Sequence, residues 1–498
     1  MSHIENRKST YLMLAVLFVG AFVSFLNNSL LNVALPSIMV DLDVDYSTVQ
    51  WLATGYMLVS GVLIPASAFL IRRFSNRTLF ITSMAIFTLG TAMAALAPNF
   101  GLLLTGRMVQ AAGSSVMGPL LMNVMLVAFP REKRGAAMGI FGLVMITAPA
   151  IGPTLSGFIV EYYDWRVLFI MILPLAVISL GLAVWKLGNV MQTDKTATID
   201  FASVILSTFG FGGLLYGVST ASSAGWDDAI VLTTLIVGAV SLVIFVVRQL
   251  KLDEPLLDLR VYKYPMFTLA SIIAVVNSVA MFSGMILTPA YVQNVRGISP
   301  LDSGLMMLPG AIIMGIMSPI TGKLFDRFGP RLLAIIGLVI TAISTYELST
   351  LQIDSSYLYI ISIYTTRMLG MSMVMMPIMT NGLNQLPTRL NPHGTAVNNT
   401  AQQVAGSIGT AVLVSIMNYV TTKEGESLMS KVDPATLTEQ SMGLLGQQAL
   451  LAGIQYSFLV ALVMNIIALV LAFFLKRVDV SPAALRKLEE ENQVETTK

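Results

Sequence analysis

The sequence contains no cysteine and few charged residues. With no Cys among 498 residues, it can form neither a disulfide framework nor a thiolate metal site. Charged residues make up only 11% of the chain, whereas soluble domains carry roughly 25%. A chain with so few charges cannot cover a water-facing surface of this length, so a soluble protein is excluded.

Histidine is scarce, and a phosphate-binding loop is missing. The two histidines, His3 and His393, lie far apart in sequence, so no imidazole metal site is expected. No G-x-x-x-x-G-K-[ST] stretch occurs, which argues against an ATP-driven motor. No cluster of His, Asp and Ser indicates catalysis at membrane depth, so a membrane enzyme or a receptor is the remote alternative. We expect no cofactor and no nucleic-acid partner.

Long apolar runs fill most of the chain. Hydrophobic residues make up 55%, and the mean hydropathy is +0.77. Since a spanning helix needs about 20 mostly apolar residues, the runs predict fourteen transmembrane helices. The predicted helices lie at about 11–36, 48–71, 78–97, 100–126, 135–160, 166–187, 200–220, 228–248, 266–293, 302–323, 331–351, 357–379, 395–420 and 450–475. The first run is too long for a cleaved signal peptide, so it is read as a retained anchor.

The positive charges predict an orientation. If the N-terminus is inside, 23 of the 29 Lys and Arg fall in inside loops and tails, four fall outside and two lie within the membrane. The positive-inside rule then places both termini in the cytoplasm. Asp41, Asp43 and Asp45 are expected in a solvated external loop. Asp200 is expected to cap the start of the seventh helix.

Two segments of the sequence are repeated about 254 to 260 residues apart. The charged hairpin GKLFDRFGPR at 322–331 has a degraded copy, AFLIRRFSNR, at 68–77. Arg107, Pro119 and Asn123 of helix 4 recur as Arg367, Pro377 and Asn381. A basic turn repeated once per half is expected of a transporter whose two halves rock against each other.

The repeat divides the chain into five parts. We predict a six-helix bundle at 1–190, two inserted helices at 191–250, a cytoplasmic linker at 251–265, a second six-helix bundle at 266–477 and a cytoplasmic tail at 478–498. The polar segment at about 421–449 is expected to form the one large external loop.

Four stretches together resemble the fourteen-span drug:proton antiporters of the major facilitator superfamily. They are LNVALP at 31–36 followed by Gln50-Trp51 and Tyr56, LTGR at 104–107 with Gln110 and Gly113, Gly152-Pro153 with Gly157, and SPL at 299–301 followed by Leu308-Pro309-Gly310. The run NNSLLN at 27–32 is similar to the lincomycin-resistance branch. The resemblance implies an all-α major-facilitator fold, with two six-helix bundles plus two inserted helices.

Two positions depart from that family pattern. The family commonly has a titratable Asp in helix 1 where this chain has Asn27, and it usually has Asp in the first hairpin where this chain has Arg72. The second hairpin keeps Asp326. We therefore expect the latch between the bundles to depend mainly on the second repeat.

Arg107 and Glu347 are the predicted proton-coupling residues. An arginine at the centre of a spanning helix costs at least roughly 2.5–3.5 kcal/mol, so Arg107 should face a wet cavity or a partner. It either polarises a carboxylate or a water chain, or it clamps backbone carbonyls of neighbouring helices. Arg367, nearer the inner end, is expected to snorkel. Glu347 is the one carboxylate well inside a predicted span, although it lies near the outer end.

Uncharged amides at membrane depth are the predicted substrate-cavity residues. Amides facing lipid are costly, so they should line the cavity or bridge helices. The candidates are Asn27, Asn32, Gln110, Asn123, Asn398, Gln402 and Gln403. The 31 methionines suit varied amphiphilic molecules, because methionine adapts to different shapes.

Conformational gating is assigned to the hairpins and to helix 5. The candidate residues are Arg73, Gly152, Pro153, Gly157, Asp326 and Arg327. The resemblance implies export of amphiphilic drugs in exchange for protons, by a monomer in the plasma membrane of a bacterium. The proton gradient would be the energy source. The alternative is a dedicated exporter of a physiological metabolite, peptide or lipid, and the absence of a helix-1 Asp favours it.

Overall fold

The computed structural model describes residues 7–44, 46–49, 51–191, 193–194, 200–432 and 438–479. These residues form helices and connecting turns, with no strand among them. Fourteen helical segments in the described part are long and apolar enough to cross a membrane. The predicted all-α membrane fold with fourteen spans is therefore confirmed.

We number the fourteen spans α1 to α14, and two of them consist of two helical segments each. Their bounds are α1 Arg7–Asp41, α2 Trp51–Arg73, α3 Asn76–Ala95, α4 Phe100–Ser114 and Met117–Ala128, α5 Arg134–Tyr162, α6 Arg166–Lys186, α7 Phe201–Ala224, α8 Ala229–Lys251, α9 Pro265–Ala290, α10 Pro300–Phe328, α11 Pro330–Ser349, α12 Tyr357–Ser372 and Met375–Asn384, α13 Asn391–Met429 and α14 Glu439–Ala472. Short helical turns lie at Tyr46–Val49, Arg131–Lys133, Leu259–Lys263, Tyr291–Val295 and Thr388–Leu390.

The predicted external loop is shorter than expected. α13 continues to Met429 and α14 begins at Glu439, so most of the segment 421–449 is helical. The start of α14 is fixed by a capping box, in which Thr438 Oγ1 accepts from the Ser441 backbone N–H and Ser441 Oγ accepts from the Thr438 N–H. Of the predicted tail, residues 480–498 lie outside the described part.

The breaks in α4 and α12 occur at matching positions of the sequence repeat. The first segment of α4 ends at Ser114 and the first segment of α12 ends at Ser372. Pro119 and Pro377 follow five residues later in each case. Because proline has no N–H to give to the carbonyl four residues earlier, each proline removes one helical hydrogen bond near the break. The repeat is therefore one of structure as well as of sequence.

Helix packing repeats in the two halves. In the first half α1 packs on α5 and α6, α3 packs on α4 and α6, and α2 packs on α4. In the second half the corresponding pairs are α9 with α13 and α14, α11 with α12 and α14, and α10 with α12. The two bundles meet through α5 with α10 and through α13 with α2, which are also corresponding pairs.

The α5–α10 pair brings the two bundles closest together. A Cβ added at Gly139 would lie 2.6 Å from the Ser318 carbonyl oxygen of α10, and one at Gly157 would lie 3.5 Å from a Leu301 methyl. Ser318 Oγ also donates to the Gly139 carbonyl at 2.8 Å. Small residues thus allow two backbones from different bundles to approach along the length of the spans.

The inserted helices α7 and α8 form a hairpin beside the bundles. α7 packs against α8, α2 and α13. α8 is largely on the outside, with Ile236 62% exposed and Val243 64% exposed. At one end of the hairpin Arg248 Nε of α8 donates to the Asp200 carboxylate at 2.7 Å. The inserted pair therefore separates part of the bundle contact from the lipid.

The loops rich in Lys and Arg lie at one end of the molecule, which we call the basic end. Hydrogen bonds connect its loops, for example Asn76 Nδ2 to the Gly188 carbonyl at 2.7 Å and Arg477 Nη2 to the Asp326 carbonyl at 2.7 Å. At the opposite end Arg166 Nη1 donates to Asp41 Oδ2 at 2.8 Å. That guanidinium lowers the pKa of the Asp41 carboxyl, with a smaller contribution from the Trp165 indole.

The predicted cap at Asp200 lies where expected but acts differently. Asp200 is the N-cap position of α7, yet its side chain makes no capping hydrogen bond. Its carboxylate instead accepts from Arg248 and from Ser203 Oγ at 2.5 Å. The hydrogen bond from Arg248 lowers the pKa of Asp200 to about 2. The guanidinium makes the stronger hydrogen bonds to this carboxylate because its donors are charged.

Candidate functional site

Two adjoining cavities lie between the bundles. The larger has a volume of about 530 Å³ and is lined by residues of α1, α2, α7, α9 and α13. The smaller has a volume of about 260 Å³ and is lined by residues of α1, α2, α4, α5, α9, α12 and α13. They share Asn28, Tyr56, Phe282 and Gln403 in their walls. Together they fall in the size range of drug-binding sites.

The smaller cavity has a mixed wall of amides, hydroxyls and methionines. Its polar side chains include the amides of Asn399 and Gln402 from the second bundle and the hydroxyl groups of Ser24 and Ser60 from the first. Its methionines are Met145, Met281, Met375, Met376 and Met379. Neither cavity has an Asp or Glu among its described lining residues. Such a wall offers hydrogen bonds and adaptable apolar contact but no counter-ion for a cation.

Tyr56 separates both cavities from the buried Arg107. Its ring lies 4.4 Å from the Arg107 guanidinium carbon, and its hydroxyl lies 2.5 Å from Ser114 Oγ. Arg107 is 1% exposed, so the aromatic face takes the place of solvent around the charge. A molecule in either cavity would therefore contact Tyr56, and Tyr56 in turn contacts the Arg107 guanidinium.

Arg107, Gln110, Asn27 and Thr91 form a hydrogen-bonded network, which we call the Arg107 network. Arg107 Nη1 donates to Gln110 Oε1 at 2.9 Å. Gln110 Nε2 donates to Thr91 Oγ1 at 2.8 Å, and the Gln110 and Asn27 amides exchange bonds of 3.2 and 3.3 Å. The network links α1, α3 and α4 and contains no carboxylate. The cation is therefore held by an aromatic ring and an amide.

Arg367 of the second repeat is also fully buried. Its exposure is 0%, so the expected snorkelling to the membrane surface is wrong. Its guanidinium donates to the Ala280 carbonyl, to Ser283 Oγ at 3.3 Å and to Thr345 Oγ1 at 3.3 Å. Gly284 gives it room, because a Cβ there would collide with the guanidinium. Arg367 therefore connects its own helix, α12, to α9 and α11. Its position in the sequence, near the inner end of the span, had suggested only a contact with the membrane surface.

Asp326 joins the two bundles at the basic end. Its carboxylate oxygens accept from the backbone N–H groups of Gly135 and Ala136, both at 3.1 Å. These residues lie in the first turn of α5, whose N–H groups have no partner within the helix. A carboxylate at a helix N-terminus is favoured by the helix dipole as well. Asp326 of α10 thus caps α5 of the other bundle.

Two arginines close the basic end further. Arg131 donates to the carbonyls of Asn384 and Leu386 at 2.8 and 3.0 Å, and Arg134 donates to the Asn384 side-chain oxygen at 3.1 Å. All of these bonds connect the first bundle with the second. The structure is therefore a state in which the cavities are closed toward the basic end.

The first-repeat hairpin uses a different set of charges. Arg72, which replaces the family's Asp, donates to Asp194 Oδ2 at 3.0 Å and lies 3.4 Å from His393 Nε2. His393 Nδ1 accepts from the Asp258 backbone N–H at 3.0 Å. The missing acid of the hairpin is thus supplied from the loop before α7. A nitrogen that accepts a hydrogen bond cannot carry the ring proton, so Nδ1 is the unprotonated nitrogen of this imidazole.

The predicted cavity amides lie in different environments. Gln402 and Gln403 line the cavities. Asn27 and Gln110 belong to the Arg107 network, while Asn123 donates to the Pro119 carbonyl at 2.8 Å. Asn398 is 3% exposed, and its Nδ2 has no hydrogen-bond partner among the described residues. The side chain of Asn32 lies outside the described part.

Glu347 lies apart from the Arg107 network and the cavities. It is two residues from the end of α11, is half-buried and lines neither cavity. Within the described residues, its carboxylate makes no hydrogen bond or ion pair. A coupling role for Glu347 stays a prediction.

The predicted gating residues lie in different parts of the structure and contact different helices. Gly152 lies against Ser29 of α1, with no room for a Cβ, and Gly157 faces α10 of the other bundle. Pro153 lies within α5 between them. Arg73 lies in the last turn of α2, and Arg327 lies with its guanidinium 5.2 Å from the Phe328 ring.

Several wall residues were not singled out from the sequence. Phe282 of α9 and Leu215, Val218 and Ser219 of α7 line the larger cavity. Apolar residues of a spanning helix carry no signal that tells a cavity wall from a lipid-facing side. This wall exists because α7 packs between α2 and α13.

The family follows from comparison with known proteins. The model of the Major Facilitator Superfamily matches residues 17–410. The chain belongs to this superfamily. The transporter is 51% identical over 431 residues to the uncharacterized MFS-type transporter YhcA of Bacillus subtilis, covering 86% of this chain and 81% of that protein. It is 45% identical over 478 residues to the lincomycin resistance protein LmrB of Bacillus subtilis, covering 96% and 98%.

A solved structure supports the fold. The transporter resembles the proton:xylose symporter XylE bound to 6-bromo-6-deoxy-D-glucose, with a TM-score of 0.63, 13% identity and coverage of 98% of this chain and 99% of that one. The predicted resemblance to the major facilitator superfamily and to lincomycin-resistance-type exporters is confirmed. The relatives and the fold are those of membrane transporters, which agrees with the prediction that the chain is not an enzyme.

Proposed function

We propose that this transporter exports amphiphilic drugs, including lincosamide-like antibiotics, in exchange for protons. The observation that carries the proposal is the 45% identity to a lincomycin resistance protein over nearly the full length of both chains. The site agrees with it, because a cavity wall of amides, hydroxyls and methionines suits molecules with both polar and apolar parts. The transporter would act as a monomer in the plasma membrane, with the basic end and both termini in the cytoplasm.

Alternating access would proceed by rocking of the two bundles. In the state described here the contacts of Asp326, Arg131 and Arg134 close the basic end, so the cavities would communicate with the outside. Breaking those contacts would open the cavities to the cytoplasm for drug loading. We propose that Tyr56 and Arg107 couple proton movement to drug binding, since Tyr56 borders both the cavities and the buried Arg107 guanidinium.

Transport in everted membrane vesicles tests the proposal. An acid-inside proton gradient should drive lincomycin uptake that an uncoupler abolishes, and vesicles without the transporter serve as the control. A permanently cationic dye should be taken up less well, because no carboxylate among the described wall residues compensates its charge. Absence of gradient-driven uptake of either compound, with folded protein present, would contradict drug export and favour a dedicated metabolite, peptide or lipid exporter.

Two variants in the same assay test the coupling residues. Arg107→Ala should abolish the gradient-dependent part of lincomycin uptake. Glu347→Gln tests the predicted carboxylate, and coupling through Glu347 requires that this variant lose gradient dependence while it still binds drug. Wild-type uptake by Glu347→Gln would remove Glu347 from the mechanism and leave the Arg107 network as the proposed coupling site.

A further inference from the structure

We infer that the inserted helix α7 forms a wall of the substrate site and holds the apolar part of an uncharged or weakly basic amphiphile. This inference rests on the proposed function and adds a binding surface to it. The inserted hairpin would then be part of the transport site, in addition to filling space between bundle and lipid.

The larger cavity lies between α7 and both bundles. Leu215, Val218 and Ser219 of α7 face it, opposite Phe282 and Ile286 of α9. Thr54 of α2 and Ser219 share a hydrogen bond of 3.2 Å, which fixes α7 against the first bundle. Because most of these side chains are hydrocarbon, this wall favours the apolar part of a ligand.

The cavity extends toward the opposite end of the molecule. Ala53 and Thr54, which line it, lie within the first turn of α2. The basic end is closed by the Asp326 and Arg131 contacts described above. In the present state, a ligand would therefore enter this cavity from the end opposite the basic end.

The polar part of the same ligand has a place in the smaller cavity. The two cavities meet at Tyr56 and Gln403, and beyond them lie Asn399 and Gln402. Amides both donate and accept, so they suit hydroxyl and amide groups of a ligand. The combined site thus offers hydrocarbon side chains on α7 and amides on α13, the latter among the methionines of α12, which suits an amphiphile bound across both cavities.

The described walls contain no acidic side chain, so they favour a ligand without a fixed positive charge. A fixed cation moved from water into such a site loses hydration without gaining an ion pair. An uncharged molecule, or a weak base that sheds its proton, does not incur this cost. A lincosamide-like compound, with a weakly basic amine, many hydroxyls and an alkyl group, has the required chemistry.

Single-cysteine labelling can test the wall, because the native chain has no cysteine to interfere. Ser219→Cys introduces a thiol at the cavity wall. The matched control is Ile236→Cys on the neighbouring helix α8, where the side chain is 62% exposed on the outer face. Since thiolates form and react in water, a membrane-impermeant maleimide added outside intact cells should label Ser219→Cys and leave Ile236→Cys unlabelled.

Protection by ligand then tests binding without requiring transport. In de-energised cells, saturating lincomycin should slow labelling of Ser219→Cys at least threefold. No labelling of Ser219→Cys, or labelling that lincomycin leaves unchanged in a variant that still exports it, would overturn the inference. If the wild type exports no drug, the proposed function fails, whereas lincomycin protection of Ser219→Cys would still support the α7 wall.

Filling the cavity gives an independent readout. Ser219→Phe places a ring in the cavity and should lower lincomycin export at least fivefold, while Ile236→Phe faces outward and should export at the wild-type rate. Equal export by both variants, at equal protein levels, would contradict a substrate wall on α7 and leave drug export itself intact.

Discussion

At the scale of single residues, the environment of Arg107 is the feature on which transport should depend most. A planar guanidinium can lie against the Tyr56 ring and donate to Gln110 at the same time, whereas an ammonium is a point charge on a flexible stem. The sequence singled out Arg107 because it is a charge in an apolar run. It could not identify Tyr56 as its neighbour, since that contact depends on the packing of α2 against α4.

Arg107→Lys should lower gradient-driven lincomycin uptake at least tenfold, although the charge is retained. The reason is that lysine cannot satisfy the Tyr56 and Gln110 contacts together. Uptake in everted vesicles is the measurement, and the unfolding temperature of purified protein reports whether the variant folds. Full uptake by Arg107→Lys would show that a positive charge is sufficient at this position.

Asp326→Asn should weaken closure of the basic end. The amide keeps the shape of the side chain but loses both the charge and one of the two oxygens that accept from Gly135 and Ala136, a loss of about 1 kcal/mol. Such a change shifts the closed-to-open ratio about fivefold. A cysteine at Met376, on the cavity wall, should react faster with a maleimide from the cytoplasmic side when Asp326→Asn is also present.

Asp302→Asn is the matched control for that experiment. Asp302 lies on the same helix, α10, but in its first turn at the opposite end, where it accepts from Ser299 Oγ. Its replacement should leave labelling of the Met376 cysteine unchanged. If Asp326→Asn also leaves that labelling unchanged, the carboxylate does not stabilise the closed state.

At the scale of helices, the apolar runs predicted the number and order of spans well. They could not show that α4 and α12 each break after a serine, because an apolar run with an internal proline is also compatible with a continuous kinked helix. They also ended α13 near residue 420, since hydropathy falls there although the helix continues through polar residues to Met429. Hydropathy reports the membrane boundary, and a helix can extend past that boundary into water.

The Asp200–Arg248 ion pair should stabilise the α7–α8 hairpin. The pKa of Asp200 is lowered to about 2, so its contribution is present above about pH 4 and is lost as the pH falls toward 2. The pair is partly exposed, so we expect Asp200→Asn to cost about 0.5–1 kcal/mol. Thermal unfolding at pH 7 and at pH 3 is the measurement, and the difference from wild type should shrink at pH 3.

Asp227→Asn is the control for the ion pair. Asp227 lies at the other end of the hairpin and is exposed. Its replacement should leave the unfolding temperature unchanged at both pH values. A pH-independent effect of Asp200→Asn would mean that packing, and not the ion pair, explains its loss of stability.

At the scale of the whole molecule, the charge distribution predicts which end faces the cytoplasm. Glu254, in the linker at the basic end, and Asp354, at the opposite end, are both exposed acidic residues. In intact cells a membrane-impermeant maleimide should label Asp354→Cys, and it should label Glu254→Cys only after permeabilisation. The reverse labelling pattern would mean that the basic end faces outward, which would contradict the proposed topology.

The sequence repeat predicted the two-bundle architecture correctly but left the position of the inserted helices open. Repeated motifs report which helices correspond, and the matching helix pairs of the two halves agree with that correspondence. An inserted hairpin has no counterpart in the repeat, so its place could only come from packing. For the same reason the larger cavity could not be predicted, because it needs α7 beside α2 and α13.

The position of the hairpin has a consequence for the transport cycle. Ser219 hydrogen-bonds Thr54 of the first bundle, and the Trp226 indole just after α7 donates to Ser415 of the second bundle at 2.7 Å. In the proposed rocking the two bundles would move relative to each other, and the α5–α10 pair lies elsewhere in their interface. One rigid hairpin could not follow both bundles in that motion, so at least one of these two bonds would break and re-form in every turnover. The choice of bond would decide whether the apolar wall travels with the bound drug or stays behind as the drug leaves.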